Sequence, residues 1–87
     1  MVRQAHELEP YFALNNDRLD ISYLNYEKSD VWLFFYDYQT GEVLHTDKLG
    51  PDFAVNHALD LSILEAGSYG AELVSDGISH EYDLLLD

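Results

Sequence analysis

The sequence predicts a small all-β sandwich that forms a single domain. Short apolar stretches alternate with polar residues at the regular spacing typical of sandwiches, and no segment keeps the 3.6-residue periodicity of an amphipathic helix. A length of 87 residues allows one ordinary domain. We expect it to occupy residues 9–87, after a flexible N-terminal segment at residues 1–8. With 47% hydrophobic and 14% aromatic residues, the chain can form a packed core.

The first two strands are predicted at residues 9–14 and 18–23. Residues 15–17 suit the turn between them, because Asn and Asp side chains bond to their own backbone and tolerate a left-handed conformation. The second strand alternates cleanly between apolar and polar positions. Its residues predicted to face the core are Leu19, Ile21 and Tyr23.

The third strand is predicted at residues 31–36, and it is the most apolar run of the chain. Its aromatic and β-branched residues favour a pleated surface, so we expect a central strand. Residues 38–41 form the next hairpin turn, in which Gly41 can adopt a positive φ. Residues 42–48 are the returning fourth strand.

The last three strands follow the same alternation. The fifth strand is predicted at residues 55–61 and the sixth at residues 69–73, with one turn of helix allowed at residues 62–67. Asp76–Gly77 is a strong signal for a two-residue hairpin. Residues 79–86 then form the seventh strand.

Two stretches in the second half resemble known bacterial sandwich domains. One is the apolar strand that runs into a glycine turn at residues 35–44, and the other is residues 60–69, which read Asp-Leu-Ser-Ile-Leu-Glu-Ala-Gly-Ser-Tyr. They resemble the C-terminal sorting domain of type IX secretion cargo and a related set of small secreted bacterial proteins of unknown function. The resemblance covers residues 17–86 and implies a seven-stranded immunoglobulin-like or fibronectin-type-III-like sandwich. Strands one, two and five would form one sheet, and strands three, four, six and seven the other.

The second stretch has a clear physical reading. Leu61 and Leu64 can close one end of the sandwich, while Tyr69 buries its ring and its hydroxyl reaches a backbone group, as in the tyrosine corner of sandwich domains. We interpret this stretch as a feature of the fold without catalytic content.

The resemblance implies a location outside the cell or in the cell envelope. The chain resembles the stand-alone proteins more than the sorting domains. Sorting domains carry basic residues before their last strand, whereas this chain has His80, Glu81 and Asp83 there. Residues 1–10 contain a single basic residue and no long apolar run, so we expect no signal peptide within this chain. A cytoplasmic location stays an alternative.

The charge of the chain argues against two classes of partner. Seventeen acidic and four basic residues give a formal net charge of -13, which repels both phosphate backbones and anionic lipid surfaces. No stretch approaches the ~20 apolar residues of a membrane span. The chain has no cysteine, which excludes disulfides and thiolate metal sites. We expect no nucleic-acid binding, no membrane insertion and no cofactor.

The third strand also provides the candidate binding site. If Val31, Leu33 and Phe35 fill the core, the alternate side chains lie together on the outer face. These are Trp32, Phe34 and Tyr36. Clustered exposed aromatic residues mark interaction sites, so we expect this face to bind a protein partner or a second copy of the chain. Two alternatives stay open: a carbohydrate-binding module that uses the same aromatics, and a sorting or spacer domain without a binding surface.

The sequence contains no sign of catalysis. Ser62 or Ser79 could be paired with a histidine and an aspartate, but no nucleophile elbow supports either pair. Oxygen-rich loops at residues 15–20 and 27–30 do not match a calcium-binding loop. We therefore predict a non-enzymatic protein.

The histidines give no indication of a metal site. The four are far apart in sequence, and no two have ligand spacing on one strand; they are His6, His45, His57 and His80. His57 and His80 occupy apolar-phase positions, where we expect hydrogen-bonded structural imidazoles.

Overall fold

Residues 9–87 are described by the computed structural model, and the flexible segment predicted at residues 1–8 lies outside them. Seven strands form two antiparallel sheets, which confirms the predicted fold class. The strands are β1 (Tyr11–Asn15), β2 (Arg18–Leu24), β3 (Val31–Asp37), β4 (Val43–Lys48), β5 (Ala54–Asp60), β6 (Gly67–Ser75) and β7 (Ile78–Leu86).

The two sheets contain the strands that the resemblance implies. One has the order β1-β2-β5, and the other has the order β4-β3-β6-β7. Phe12 of β1 stacks on Tyr82 of β7 with ring centroids 5.1 Å apart, and His57 of β5 lies against Asp47 of β4. The edges β1 and β7 therefore meet on one side of the sandwich, and the edges β4 and β5 meet on the other.

The core lies between the sheets and follows the predicted alternation. Leu19, Ile21, Val31, Leu33 and Phe35 are almost fully buried. Tyr23, Phe12 and Tyr82 are partly buried against the same cluster. The other buried hydrophobic residues are Val55, Leu59, Leu61, Tyr69, Ala71, Leu73, Leu84 and Leu86.

The tight turns also match the sequence. Asp76 and Gly77 both have positive φ, 54° and 78°, which is the conformation of a type I′ hairpin turn. Ser75 and Ile78 therefore pair directly, and β7 begins one residue earlier than predicted. β1 begins two residues later than predicted, at Tyr11, directly after Pro10, which has no N–H to donate to a sheet.

Tyr69 forms the contact expected of a tyrosine corner. Its hydroxyl donates to the Glu65 carbonyl at 2.7 Å, and its buried ring stacks on Phe35 with centroids 5.5 Å apart. Leu61 is buried, and Leu64 packs partly against the core. The segment between them is a turn closed by one backbone hydrogen bond from Leu64 to Leu61 at 3.0 Å, and it does not form the helical turn that the sequence allows.

A candidate interaction face on the four-stranded sheet

Trp32, Phe34 and Tyr36 lie in line on the outer face of β3, and we call them the aromatic strip. Their inward neighbours along β3 are buried, which fixes the direction of the alternate side chains. Trp32 is 39% exposed, and Phe34 and Tyr36 are half-buried. The strip runs along an interior strand, between β4 and β6.

A lysine covers the Trp32 end of the strip. Lys48 of β4 pairs with Trp32 in register, and its ammonium nitrogen lies 5.8 Å from the indole centroid, within the range of a cation–π contact. The same nitrogen lies 3.5 Å from a carboxylate oxygen of Asp30. This end of the strip already holds one cation over an aromatic ring.

A glycine underlies the Tyr36 end. Gly70 of β6 pairs with Tyr36, and a Cβ atom at Gly70 would overlap the phenol ring. The ring can therefore lie directly against the β6 backbone only because residue 70 is glycine. On the other side of β3, Val43 pairs with Tyr36 across a β-bulge and is exposed, which extends the apolar surface.

Three carboxylates lie beside the strip, and we call them the acidic row. Glu72 pairs with Phe34, Glu81 pairs with Glu72, and Asp83 pairs with Gly70; side chains paired in register share a face of the sheet. Burial and the charges of Glu81, Asp83 and Glu72, in that order, raise the pKa of Tyr36. The surface beside the strip therefore has a negative potential.

The outer face of the other sheet has a different character. Its central side chains are small or polar: Asp20 is flanked by Ala13 and Ala58. Ser22 donates its hydroxyl to the Asn56 side-chain oxygen at 3.0 Å. That face carries one exposed aromatic ring, Tyr11, whereas the four-stranded sheet carries a row of three rings beside three carboxylates.

The residues weighed for catalysis do not form a catalytic arrangement. Ser79 donates its hydroxyl to Glu72, while His80, the next residue, faces the other side of β7 beside Tyr23. The Ser62 backbone and hydroxyl bond to Asp60 and lower the pKa of that carboxyl. The contact of Ser62 with Asp60 stabilises the turn after β5, and the contact of Ser79 with Glu72 joins β7 to β6 on the sheet surface.

Sequence reasoning missed one cluster of polar residues. His45 and His57 lie 12 positions apart in the sequence, but the edge strands β4 and β5 bring both against Asp47. The spacing of His45 and Asp47 on one strand is a signal for a shared face. The approach of His57 depends on how the two sheets pack, and no local pattern predicts it.

A solved structure has a similar fold, whereas the sequence matches no protein family and no curated protein. A DUF3244 family protein with an immunoglobulin-like β-sandwich fold from Bacteroides vulgatus superposes with a TM-score of 0.82 at 10% identity. The match covers 100% of this chain and 93% of that chain. The similarity shows that this chain has an immunoglobulin-like fold.

Among residues 9–87, no helix is long and apolar enough to cross a membrane.

Proposed function

We propose that the chain is a non-enzymatic extracytoplasmic binding module whose aromatic strip and acidic row hold a protein partner with basic side chains. The observation that carries the proposal is the position of Trp32, Phe34 and Tyr36 on an outer sheet face beside three carboxylates. Tyr and Trp are favoured anchors of protein interfaces, and contiguous apolar surface rimmed by polar residues marks interaction sites.

Arginine is the side chain that suits this face best. A guanidinium can stack on an aromatic ring and donate paired hydrogen bonds to a carboxylate at the same time. Rings and carboxylates are adjacent here, since Glu72 lies directly opposite Phe34. The contact between Lys48 and Trp32 shows that the strip accommodates a cation. A partner's arginine could take the place of that lysine.

The charge of the chain favours a basic partner over a second copy. A symmetric dimer uses the same patch on both subunits, so dimerisation through this face would bring two acidic rows together. Each copy also carries a net charge of -13. The same negative potential raises the association rate of a basic partner.

A carbohydrate ligand fits the face less well. A sugar stacks on the free face of a ring, but Lys48 lies over Trp32 and Tyr36 rests against Gly70. Phe34, between them, is half-buried. A sugar would therefore have to displace Lys48 to reach the most exposed ring of the strip. Unlike a partner's arginine, it would not restore a cation over that ring.

The test is selection from a random peptide library against the immobilised protein, followed by titration of the selected peptides. Trp32 is the only tryptophan of the chain, so its fluorescence reports binding at the strip directly. We expect selected peptides to be rich in arginine, and replacement of arginine by uncharged citrulline to weaken binding about tenfold or more.

Two variants and a matched control locate the binding surface. Phe34→Ala removes a ring from the strip, and the double variant Glu81→Gln/Asp83→Asn removes two charges; each should weaken binding about tenfold. Tyr11→Ala removes an exposed aromatic on β1 of the other sheet and should leave binding unchanged. Equal affinity in all three variants would contradict the proposal.

Light scattering over a hundredfold dilution series tests self-association separately. The protein should stay monomeric at every concentration. A dimer that is lost in the Trp32→Ala/Phe34→Ala variant would replace the basic partner with a second copy of the chain. Selective binding to a glycan array, lost in the same variant, would replace it with a carbohydrate.

A further inference from the structure

The edge strands β4 and β5 meet at a cluster of three potential metal ligands. One nitrogen of His45, one nitrogen of His57 and one carboxylate oxygen of Asp47 all lie within 4.8 Å of one another. The His57 Nε2 atom is 3.3 Å from Asp47 Oδ2, and the His45 Nε2 atom is 3.8 Å from the same oxygen. The carboxylate therefore contacts the imidazoles of both sheets.

All three residues occupy positions where the alternation would place core residues. In register, His45 pairs with Phe35 and Asp47 pairs with Leu33. Phe35 and Leu33 are both buried. His57 lies between the buried residues Val55 and Leu59 along β5. The cluster thus lies at the mouth of the gap between the sheets, where His57, Asp47 and His45 are 28%, 39% and 48% exposed.

The opposite side of the sandwich is closed in a different way. There Phe12 of β1 and Tyr82 of β7 stack almost in parallel, with an interplanar angle of 5°. An aromatic pair covers the core between those two edge strands. Between β4 and β5, two imidazoles and a carboxylate occupy the corresponding position. Coverage of the core by apolar side chains therefore does not account for the residues found there.

We propose that His45, Asp47 and His57 bind a divalent transition-metal ion of the Zn²⁺ type, which links the two sheets at this side. Two imidazole nitrogens and one carboxylate oxygen are a common zinc ligand set. Ligand atoms at 2.0–2.2 Å from a tetrahedral ion are about 3.3 Å apart. The distances from Asp47 are 3.3 and 3.8 Å, and no two of the three ligand atoms are more than 4.8 Å apart. Side-chain movements that shorten these separations by at most about 1.5 Å complete the geometry.

The site would keep at least one exchangeable coordination position. Three protein ligands leave a tetrahedral zinc ion open to water or to another ligand. A surface groove of about 420 Å³ adjoins the cluster. Its apolar lining includes Leu44, Leu59, Leu61, Ile63 and Leu64. A small ligand of the ion would therefore lie against an apolar wall.

Protection of the sheet edges is the alternative explanation. Inward-pointing charged residues on edge strands hinder pairing with other chains, and one such residue on each strand would be enough for that purpose. Edge protection does not require three ligand atoms from two sheets to lie within 4.8 Å of one another. Measurement of metal binding distinguishes the two explanations.

The first experiment is calorimetric titration of Zn²⁺ into the protein at about 0.15 M NaCl, which screens diffuse attraction to the acidic surface. We expect one ion per chain, and a rise in melting temperature on the order of 10 °C when free zinc exceeds its dissociation constant a hundredfold. Ca²⁺ and Mg²⁺ should not compete, because imidazole ligands suit zinc rather than these hard cations.

Single substitutions test the ligands. His45→Ala and His57→Ala should each weaken zinc binding about tenfold or more, and Asp47→Asn should do so while nearly preserving side-chain shape. The His6→Ala/His80→Ala double variant is the matched control. It removes the other two histidines of the chain and should bind zinc like the wild type.

A spectroscopic measurement on the wild type covers the case in which a variant fails to fold. One equivalent of Zn²⁺ should shift the NMR signals of two of the four imidazoles, and Co²⁺ in its place should give the visible bands of a tetrahedral site. The absence of saturable binding would overturn the proposal. So would binding that persists in His57→Ala or disappears in the His6→Ala/His80→Ala control.

Discussion

Asn25 is a buried polar residue that connects two loops at one end of the sandwich. It is 1% exposed, and its side-chain amide donates to the carbonyls of Ser29 at 2.8 Å and Asp52 at 3.1 Å. Its side-chain oxygen accepts from the Ser29 amide at 3.2 Å. One side chain therefore satisfies backbone groups in both the β2–β3 loop and the β4–β5 loop.

Replacement of Asn25 should destabilise the fold markedly. Asn25→Ala leaves three backbone groups without partners, so we expect the free energy of unfolding to fall by about 2–3 kcal/mol. Urea denaturation monitored by Trp32 fluorescence measures the change. Asn56→Ala, which removes one exposed hydrogen bond to Ser22, is the control and should cost less than about 1 kcal/mol. Equal losses in both variants would show that the buried amide has no special role.

Tyr36 provides a residue-level test of the electrostatics of the face. Burial and the acidic row raise its pKa above the ordinary 10.0. The fold thus favours the protonated phenol, and the resulting stability is complete below pH 10 and is lost as the pH rises through the folded-state pKa. Ultraviolet titration should show a late-ionising component that is missing in Tyr36→Phe. In Glu81→Gln/Asp83→Asn, the pKa of Tyr36 should move back toward the ordinary value; no movement would mean that these two carboxylates do not contribute to the raised pKa.

At the scale of the strand, Gly70 tests the packing of β6 beneath the aromatic strip. A methyl group at this position would overlap the Tyr36 ring. We expect Gly70→Ala to destabilise the protein by about 1–3 kcal/mol, the usual cost of overpacking. The loss should be much smaller in a Tyr36→Ala background, where the space is free. A double-mutant cycle by urea denaturation measures this coupling, and purely additive effects would contradict the contact.

The strands themselves could be predicted from local patterns, whereas some contacts between them could not. Alternation along β3 put Trp32 and Leu33 on opposite faces, and the structure shows that Leu33 is the buried one. The Asp76–Gly77 pair fixed the β6–β7 turn. Asn25 joins its loop to Asp52, 27 residues away, and His57 meets Asp47, ten residues away in sequence. Those partners are set by the register and packing of two sheets, which a period-two pattern does not encode.

At the scale of the whole molecule, the two open sides of the sandwich differ. An aromatic pair covers the side at β1 and β7, and two imidazoles with a carboxylate occupy the side at β4 and β5. The division of strands between sheets followed from the resemblance to bacterial sandwiches and is confirmed. The difference between the two sides depends on β4 and β5 lying side by side. Alternation of apolar and polar residues does not show which edge strands of the two sheets meet, so the sequence did not predict it.

The net charge of -13 should make the stability of the whole molecule depend on salt. With only four basic residues to offset seventeen acidic ones, repulsion outweighs exposed ion pairs such as Arg18–Asp20. Raising NaCl from about 0.02 M to about 0.5 M should therefore increase the free energy of unfolding by on the order of 1 kcal/mol. Urea is the appropriate denaturant because it is uncharged. In Glu81→Gln/Asp83→Asn the protein should be more stable at low salt and respond less to NaCl; a loss of stability with salt would show instead that ion pairs dominate.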